Sequence, residues 1–169
     1  MAGFSDWKKT GSVILPQAID SNSSTEQVKL GTRVTAQHDD YGVAEFIYLN
    51  GVASTAQGMA VVYDENYVTA LTAAGGDDEG NIAVAMSASV ANEYGWYCIY
   101  GTVPVEVEAS AAADKAVYLG ASTAGHLDDN DVAGDMVQGA VTRSALDTPN
   151  TGQAWIQLSY PTCNDAADD

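Results

Sequence analysis

Short apolar segments alternate along this chain with turns rich in glycine, aspartate and asparagine. Eight such segments occupy residues 43–49, 59–63, 67–72, 81–86, 95–107, 115–119, 135–141 and 154–159. Short apolar runs bounded by turn residues predict strands rather than helices. The pattern therefore predicts an all-β fold over the middle of the chain.

The fifth segment is unusually aromatic and then starts to alternate, reading YGWYCIYGTVPVEV over residues 94–107. Alternation places Trp96, Cys98 and Tyr100 on one face and Tyr97 with Ile99 on the other, so both faces are predicted to be buried. The following valines, at positions 103, 105 and 107, are predicted to point inward. Pro104 lacks a backbone donor, which predicts a sheet edge or a bulge.

The segments also repeat. Tyr63 is followed 23 positions later by Met86, and Tyr118 is followed 23 positions later by Val141, which gives an offset of 55 (118 − 63). Each stretch is then followed by a strand that carries a tryptophan, Trp96 or Trp155. A repeated supersecondary unit explains this offset. We expect two similar three-strand units to form a small β-barrel or β-sandwich.

The two ends of the chain differ from this middle. Residues 1–30 hold three of the six basic residues and a polar run at 20–26, and they predict an extended N-terminal arm. Residues 31–161 form the predicted β domain. Residues 162–169 are acidic and poor in large apolar groups, which predicts a frayed tail.

Charge excludes several classes of partner. The chain has 169 residues, and 23 acidic against 6 basic side chains give it a formal net charge of −17. This field repels phosphate backbones and anionic lipid, so we expect no nucleic-acid or membrane partner. No apolar run is long enough to cross a bilayer. Without a secretory signal, Cys98 and Cys163 are expected to be reduced.

Candidate reaction chemistry is sparse. The two histidines, His38 and His126, lie beside acidic turn residues and are predicted to be exposed loop side chains without a catalytic role. The acidic run at 128–135 lacks the glycine and the terminal glutamate at the spacing of an EF-hand, so a solvated turn is expected there. We therefore predict no enzyme activity, no catalytic residue, no metal site and no cofactor.

Binding is the remaining class of function. The arm carries large apolar side chains and lysines, namely Phe4, Trp7, Lys8, Lys9, Ile14 and Leu15. These residues either fold back on the domain or anchor the arm to a partner. If these residues contact a partner, a chain without residues 1–15 is expected to fold but to bind its partner less well. A third possibility is carbohydrate stacking on Trp96 with Tyr97 or Tyr100.

Residues 103–145 resemble the small β-rich decoration, or cement, proteins of tailed-bacteriophage capsids. The likeness lies in the valine-rich strand, the strand DKAVYL and the strand AGDMVQGAV. The resemblance implies a structural virion protein on the outer capsid surface, assembled in the host cytoplasm. It also implies contact with the major capsid protein, self-association as a dimer or trimer, and stabilisation of the shell. A head-fibre base, a tail-associated virion protein and a carbohydrate-binding β module are the alternatives.

Overall fold

The structure, a computed structural model, describes residues 2–10, 15–76, 78–131 and 136–164. Within these ranges no residue is helical, and the chain forms twelve strands. The strands are β1 (Lys8–Lys9), β2 (Asn22–Ser23), β3 (Arg33–His38), β4 (Gly42–Asn50), β5 (Ala60–Tyr63), β6 (Thr69–Leu71), β7 (Gly80–Ala85), β8 (Tyr94–Glu106), β9 (Ala116–Leu119), β10 (Leu127–Asp128), β11 (Met136–Thr142) and β12 (Gln153–Cys163). The predicted all-β fold is confirmed.

All named strand pairs are antiparallel and belong to one sheet. Its order is β1-β3-β4-β8-β7-β12-β11-β9-β10, with β5 and β6 attached beside β7 and β2 paired to the start of β8. In the described residues no pairing joins β1 to β10, so the sheet does not close into a barrel. The long strand β8 pairs with β4 and β7 over its first half and with β12 over its second half.

The eight apolar segments of the sequence all overlap strands, and four further strands lack a sequence signal. Strands β1, β2 and β10 have two residues each, which is too short to show a period. Strand β3 reads RVTAQH and offers only Val34 and Ala36 to the core. It is held by six residue pairs with β4, so tertiary pairing rather than hydrophobic pattern specifies it.

The duplication is visible in the strand pairing. Strands β5 to β8 form one repeat and β9 to β12 form the second, with the same neighbours in each. Tyr63 pairs with Asn81 in the first repeat, and Tyr118 pairs with Met136 in the second, which reproduces the offset of 55. Each repeat has four strands rather than the predicted three, because β6 and β10 lie within the turn-rich middle of the unit.

The two tryptophan strands correspond, but their tryptophans do not. Val84 pairs with Cys98, and the matching core pair in the second repeat is Ala140 with Leu158, which follows a register shift between β11 and β12 at Gln138 and Ala140. Trp96 precedes Cys98 by two positions, so its counterpart is Ile156, two positions before Leu158. Trp155 lies on the opposite face of β12. Trp96 is fully buried, whereas Trp155 is half-buried.

Both faces of the first half of β8 are covered, as predicted. Trp96 and Cys98 belong to the main core, which also contains Phe46, while Tyr97 belongs to a second apolar cluster on the opposite face. The prediction for Tyr100 was wrong, since its side chain is 43% exposed. The pairing of β8 with β4 shifts register at Glu45, opposite Tyr100, and Gly101 has a positive φ. These two irregularities turn the Tyr100 side chain away from the main core.

The second half of β8 follows the predicted alternation. Val103, Val105 and Val107 are buried in the main core. Pro104 pairs with Trp155 of β12, and residues 101–106 pair with no other named strand. The proline therefore lies in the half of β8 that has a single neighbour, in agreement with the predicted edge position.

The first residues of the N-terminal segment lie against the domain. Phe4 is 1% exposed and belongs to the main core. The ring of Trp7 packs edge-on against that of Phe46, with 5.1 Å between centroids, and Lys8 and Lys9 pair with β3 as strand β1. The sequence left open whether this segment folds back on the domain or anchors to a partner. Residues 2–10 fold back on the domain.

Gln17 fixes the next part of the segment by satisfying buried polar atoms. Its side-chain oxygen accepts a hydrogen bond from the Tyr48 hydroxyl at 2.7 Å, and its side-chain nitrogen donates to the Tyr94 carbonyl at 2.9 Å. Its backbone carbonyl accepts from the Trp96 indole nitrogen at 3.1 Å. We call these contacts of Gln17 with Tyr48, Tyr94 and Trp96 the Gln17 clasp.

The other end of the domain extends past its predicted boundary. Strand β12 continues to Cys163, which is buried and lies opposite Val137 and Gly80. Residues 162 and 163 therefore belong to the sheet rather than to a tail. Residues 165–169 of the predicted acidic tail lie outside the described part of the chain.

We expect Phe4→Ala to lower the free energy of unfolding by about 3–5 kcal/mol, the usual cost of removing a buried aromatic side chain. Denaturation in urea measures this change. Val43→Ala is the control, because that side chain is exposed and its loss should change stability by less than about 0.5 kcal/mol. Equal stability of both variants would contradict the packing of Phe4. Removal of residues 1–15 should accordingly destabilise the domain.

The Gln17 clasp predicts coupling between two buried side chains. We expect Gln17→Ala to cost about 1–3 kcal/mol, because the Tyr48 hydroxyl then loses its acceptor inside the protein. In Tyr48→Phe that penalty should largely disappear, so a double-mutant cycle measured by urea unfolding should give a non-zero coupling energy. Gln27→Ala, at an exposed position, is the control. Additive effects would show that the pair does not interact.

Candidate binding surfaces

The sequence predicts both histidines to be exposed loop side chains, but both are half-buried in the structure. His38 ends β3 and is half-buried, with its ring 4.3 Å from that of Tyr41 and 5.4 Å from that of Trp7. Its Nδ1 accepts a hydrogen bond from the backbone N–H of Asp40 at 3.1 Å. His126 is also half-buried, and its carbonyl accepts from Gly120 N–H at 2.9 Å. Both residues thus contribute to local packing.

The acidic run after His126 caps its own turns. The Asp128 carboxylate is buried and accepts hydrogen bonds from the Asp129 N–H at 2.7 Å and from the Asn130 side chain at 3.0 Å. Asp129 accepts from Ala112 N–H at 3.0 Å. Asp135 lies outside the described residues. Across the ranges that the structure describes, no group of three or more acidic, histidine or cysteine side chains is arranged to hold a metal ion.

The six predicted arm contacts have different environments. Phe4 is buried, while Trp7, Lys9 and Leu15 are half-buried, and Ile14 lies outside the described residues. Lys8 is exposed and forms an ion pair with Asp39, a hydrogen bond that raises the pKa of Lys8 and lowers the pKa of Asp39. In this conformation the apolar anchors face the domain, so the structure does not bring them together as an exposed patch.

Two of the three residues predicted to stack against a sugar are buried and cannot contact one in this structure. Trp96 is 0% exposed and Tyr97 is 2% exposed, and burial raises the pKa of the Tyr97 hydroxyl. Only Tyr100 reaches the surface, where its ring lies 5.4 Å from that of Tyr160. A ligand cannot reach the faces of Trp96 or Tyr97 without opening the core.

Comparison of the two repeats identifies an open face. On the face of the first repeat turned away from the main core, five side chains are almost completely buried: Val61, Ala83, Ala85, Tyr97 and Ile99. Leu71 and Tyr63 pack against this cluster, and the adjacent turn is tied to the end of β4 by the Asn50 N–H bond to the Tyr67 carbonyl at 3.0 Å. The first repeat is therefore covered by its own chain.

The corresponding face of the second repeat is uncovered. Its outward-facing positions on β9, β11 and β12 include Ala116, Gln138, Val141, Gln157 and Ser159, and all five are exposed or half-buried. Met136, at the start of β11, is 46% exposed. Together with neighbouring residues, all of these side chains except Gln138 line a groove of about 500 Å³. We call this surface of β9, β11 and β12 the open face.

The open face carries two cations on an otherwise acidic protein. Lys115 and Arg143 line the groove, with Asp114 beside them. Arg143 Nη1 donates to Asp114 at 2.8 Å, and Arg143 Nε donates to Gln157 at 2.9 Å. The guanidinium is thereby held against the sheet, whereas Lys115 is exposed. The face combines small apolar side chains with fixed positive charge at its rim, which suits a protein partner.

Sequence reasoning missed this face although a signal for it exists. The outward positions of the first repeat are apolar, whereas those of the second include Gln138, Gln157 and Ser159. Reading this difference requires the register of both repeats, including the shift in pairing between β11 and β12 next to Gly139. The offset of 55 taken alone assigns β12 incorrectly and hides the comparison.

Comparison with protein-family models and with curated proteins finds no match to this chain. No helix in the described residues is long and apolar enough to span a membrane. A functional assignment therefore depends on the surfaces of the molecule itself.

Both cysteines are buried, and burial raises the pKa of the Cys98 thiol from 9.0 to about 12. Because the thiolate is the reactive form, we expect negligible alkylation of native protein at pH 8 and rapid alkylation in urea. Mass spectrometry after iodoacetamide treatment measures both. Ala88→Cys, at an exposed position, provides a fast-reacting control. Native Cys98 reacting as fast as this control would contradict its burial.

The raised pKa of the Cys98 thiol also determines how the stability of the fold depends on pH. Between pH 9 and pH 12 the unfolded thiol loses its proton while the folded thiol keeps it, so stability contributed by Cys98 is present below pH 9 and is lost as pH rises through this window.

Proposed function

We propose that this chain is a non-enzymatic structural virion protein that binds the outside of a phage capsid and stabilises the shell. Two features support the proposal. The sequence of residues 103–145 resembles that of capsid decoration proteins, and the large apolar side chains of the described residues are mostly used to build the fold. Surfaces are then the means by which the protein acts.

The observation that carries the proposal is the difference between the two repeats. A covered face in the first repeat and an open, partly apolar face in the second give a molecule with one side prepared for contact. We assign the open face as the surface that meets the major capsid protein. The open face replaces the N-terminal residues as the proposed capsid contact, because Phe4 is part of the main core.

Charge favours a specific orientation on the shell. The whole chain carries −17, yet Lys115 and Arg143 lie together on the open face. An acidic patch of the capsid protein would be attracted to this face and repelled by the rest of the surface. The acidic remainder would point to solvent and keep decorated particles dispersed.

A small contact is sufficient on a symmetric lattice. Association of the chain as a dimer or trimer would let several open faces engage neighbouring capsid subunits, so that weak individual contacts give strong attachment overall. Such bridging would brace the junctions between subunits. Self-association is part of the proposal for this reason.

The test is co-sedimentation with undecorated capsids of the source phage. We expect Met136→Glu and Lys115→Glu each to weaken binding at least tenfold, because one places a charge in the apolar groove and the other reverses a rim charge. The matched controls are Val90→Glu and Lys29→Glu, which make the same changes at exposed positions outside the groove.

Two results would count against the proposal in different ways. Failure of the unmodified protein to sediment with capsids would reject capsid decoration altogether. Sedimentation of all four variants with unchanged affinity would reject the open face as the contact surface while leaving the location of the protein intact.

A further inference from the structure

A row of five aromatic rings runs from the core to the surface beside the N-terminal segment. Successive ring centroids are 5.1 Å apart for Phe46 and Trp7, 5.4 Å for Trp7 and His38, 4.3 Å for His38 and Tyr41, and 4.3 Å for Tyr41 and Trp155. Phe46 is buried, whereas the other four rings are half-buried. Neither the fold nor the proposed capsid contact requires the outer rings to meet in this way.

The row ends in a groove of about 300 Å³. Its lining combines two aromatic rings with a carboxylate, a guanidinium and a hydroxyl, contributed by Tyr41, Trp155, Asp40, Arg143 and Thr102. Pockets for small molecules typically have a few polar groups set among apolar and aromatic side chains, and this volume is at the lower end of their range. The groove therefore suits a ligand about the size of one ring.

The lining is held in place before any ligand arrives. The backbone N–H of Trp155 donates to Ser144 Oγ at 2.8 Å, and its carbonyl accepts from Arg143 N–H at 2.6 Å. Gly3 lies so close to the Trp155 ring that a Cβ on this residue would be 2.7 Å from it. A fixed platform loses little conformational entropy on binding.

The guanidinium of Arg143 is fixed as well. Its bonds to Asp114 and Gln157 use two of the five N–H donors that a guanidinium carries. Donors thus remain for a ligand in the groove. Across the groove, the Asp40 carboxylate can only accept hydrogen bonds when ionised.

We propose that this groove binds a single neutral carbohydrate ring. The apolar face of a sugar would lie on Trp155 and Tyr41, and its hydroxyls, which both donate and accept, would meet Arg143 and Asp40. An anionic ligand is disfavoured by Asp40 and by the net charge of −17. A quaternary ammonium ligand, which aromatic rings also attract, is disfavoured by the guanidinium in the same groove.

This activity is distinct from capsid attachment, although the groove lies beside the open face and shares Arg143 with it. The groove is centred on Tyr41 and Trp155, whereas the open face is centred on Met136 and Val141. The two can be tested with different variants because only Arg143 lines both.

The experiment is saturation-transfer NMR on the full chain with a panel of neutral monosaccharides: glucose, galactose, mannose, rhamnose, fucose and N-acetylglucosamine. We expect saturation of at least one sugar, with the strongest transfer to protons on one face of its ring. Titration of that sugar should give at least tenfold weaker binding for Trp155→Ala and for Tyr41→Ala.

Tyr160→Ala is the matched control, because Tyr160 belongs to an exposed aromatic pair elsewhere on the surface. It should bind the sugar as the unmodified protein does. Tyr41 lies at the tip of the β3–β4 hairpin, so its variant should stay folded even if Trp155→Ala does not, and circular dichroism checks both.

Three results would overturn the proposal. They are no saturation of any sugar in the panel, sugar binding that survives in a folded Tyr41→Ala protein, and binding of tetramethylammonium in place of sugar with the same dependence on Trp155. Unchanged capsid sedimentation of Tyr41→Ala would keep the outcome distinct from that of the proposed function.

Discussion

The buried polar ends of two aromatic side chains set the main constraint on this structure. Tyr48 and Trp96 lie in the main core, and a hydroxyl or an indole N–H left there without a partner would cost stability. Gln17 supplies both partners, one from its side chain and one from its backbone. A segment that looks like a linker is therefore needed to complete the core, and Phe4 adds a second reason for it to stay in place.

The two repeats also differ in their surroundings. The first repeat pairs with β4 and lies under its own turn, so β8 is covered on both faces in its first half. The second repeat pairs with the far half of β8 through β12 and has no equivalent cover among the described residues. One supersecondary unit thus yields a sealed face in one copy and an exposed face in the other. The second repeat also carries the polar side chains Gln138, Gln157 and Ser159 on this face, where the first repeat carries apolar ones.

The hydrophobic pattern predicted the strands well because it reports burial directly. The alternation of Val103, Val105 and Val107 was confirmed, and the offset of 55 found a true duplication. The pattern could not reveal the role of Gln17, since a single glutamine carries no periodic signal. The pattern placed a tryptophan strand after each repeat but could not match the residues of these two strands, because a sequence offset ignores register shifts and a shift of one position reverses the face of a strand.

Positive charge is scarce in this chain, and its distribution links the two candidate surfaces. Arg143 lines the open face on one side and the aromatic groove on the other, and Asp114 with Gln157 fixes it between them. A partner that drew Asp114 away from this guanidinium would alter the hydrogen bonding available in the groove. Coupling between the surfaces would then pass through one side chain, in which case a ligand in the groove and a protein on the open face would influence each other by the same free energy.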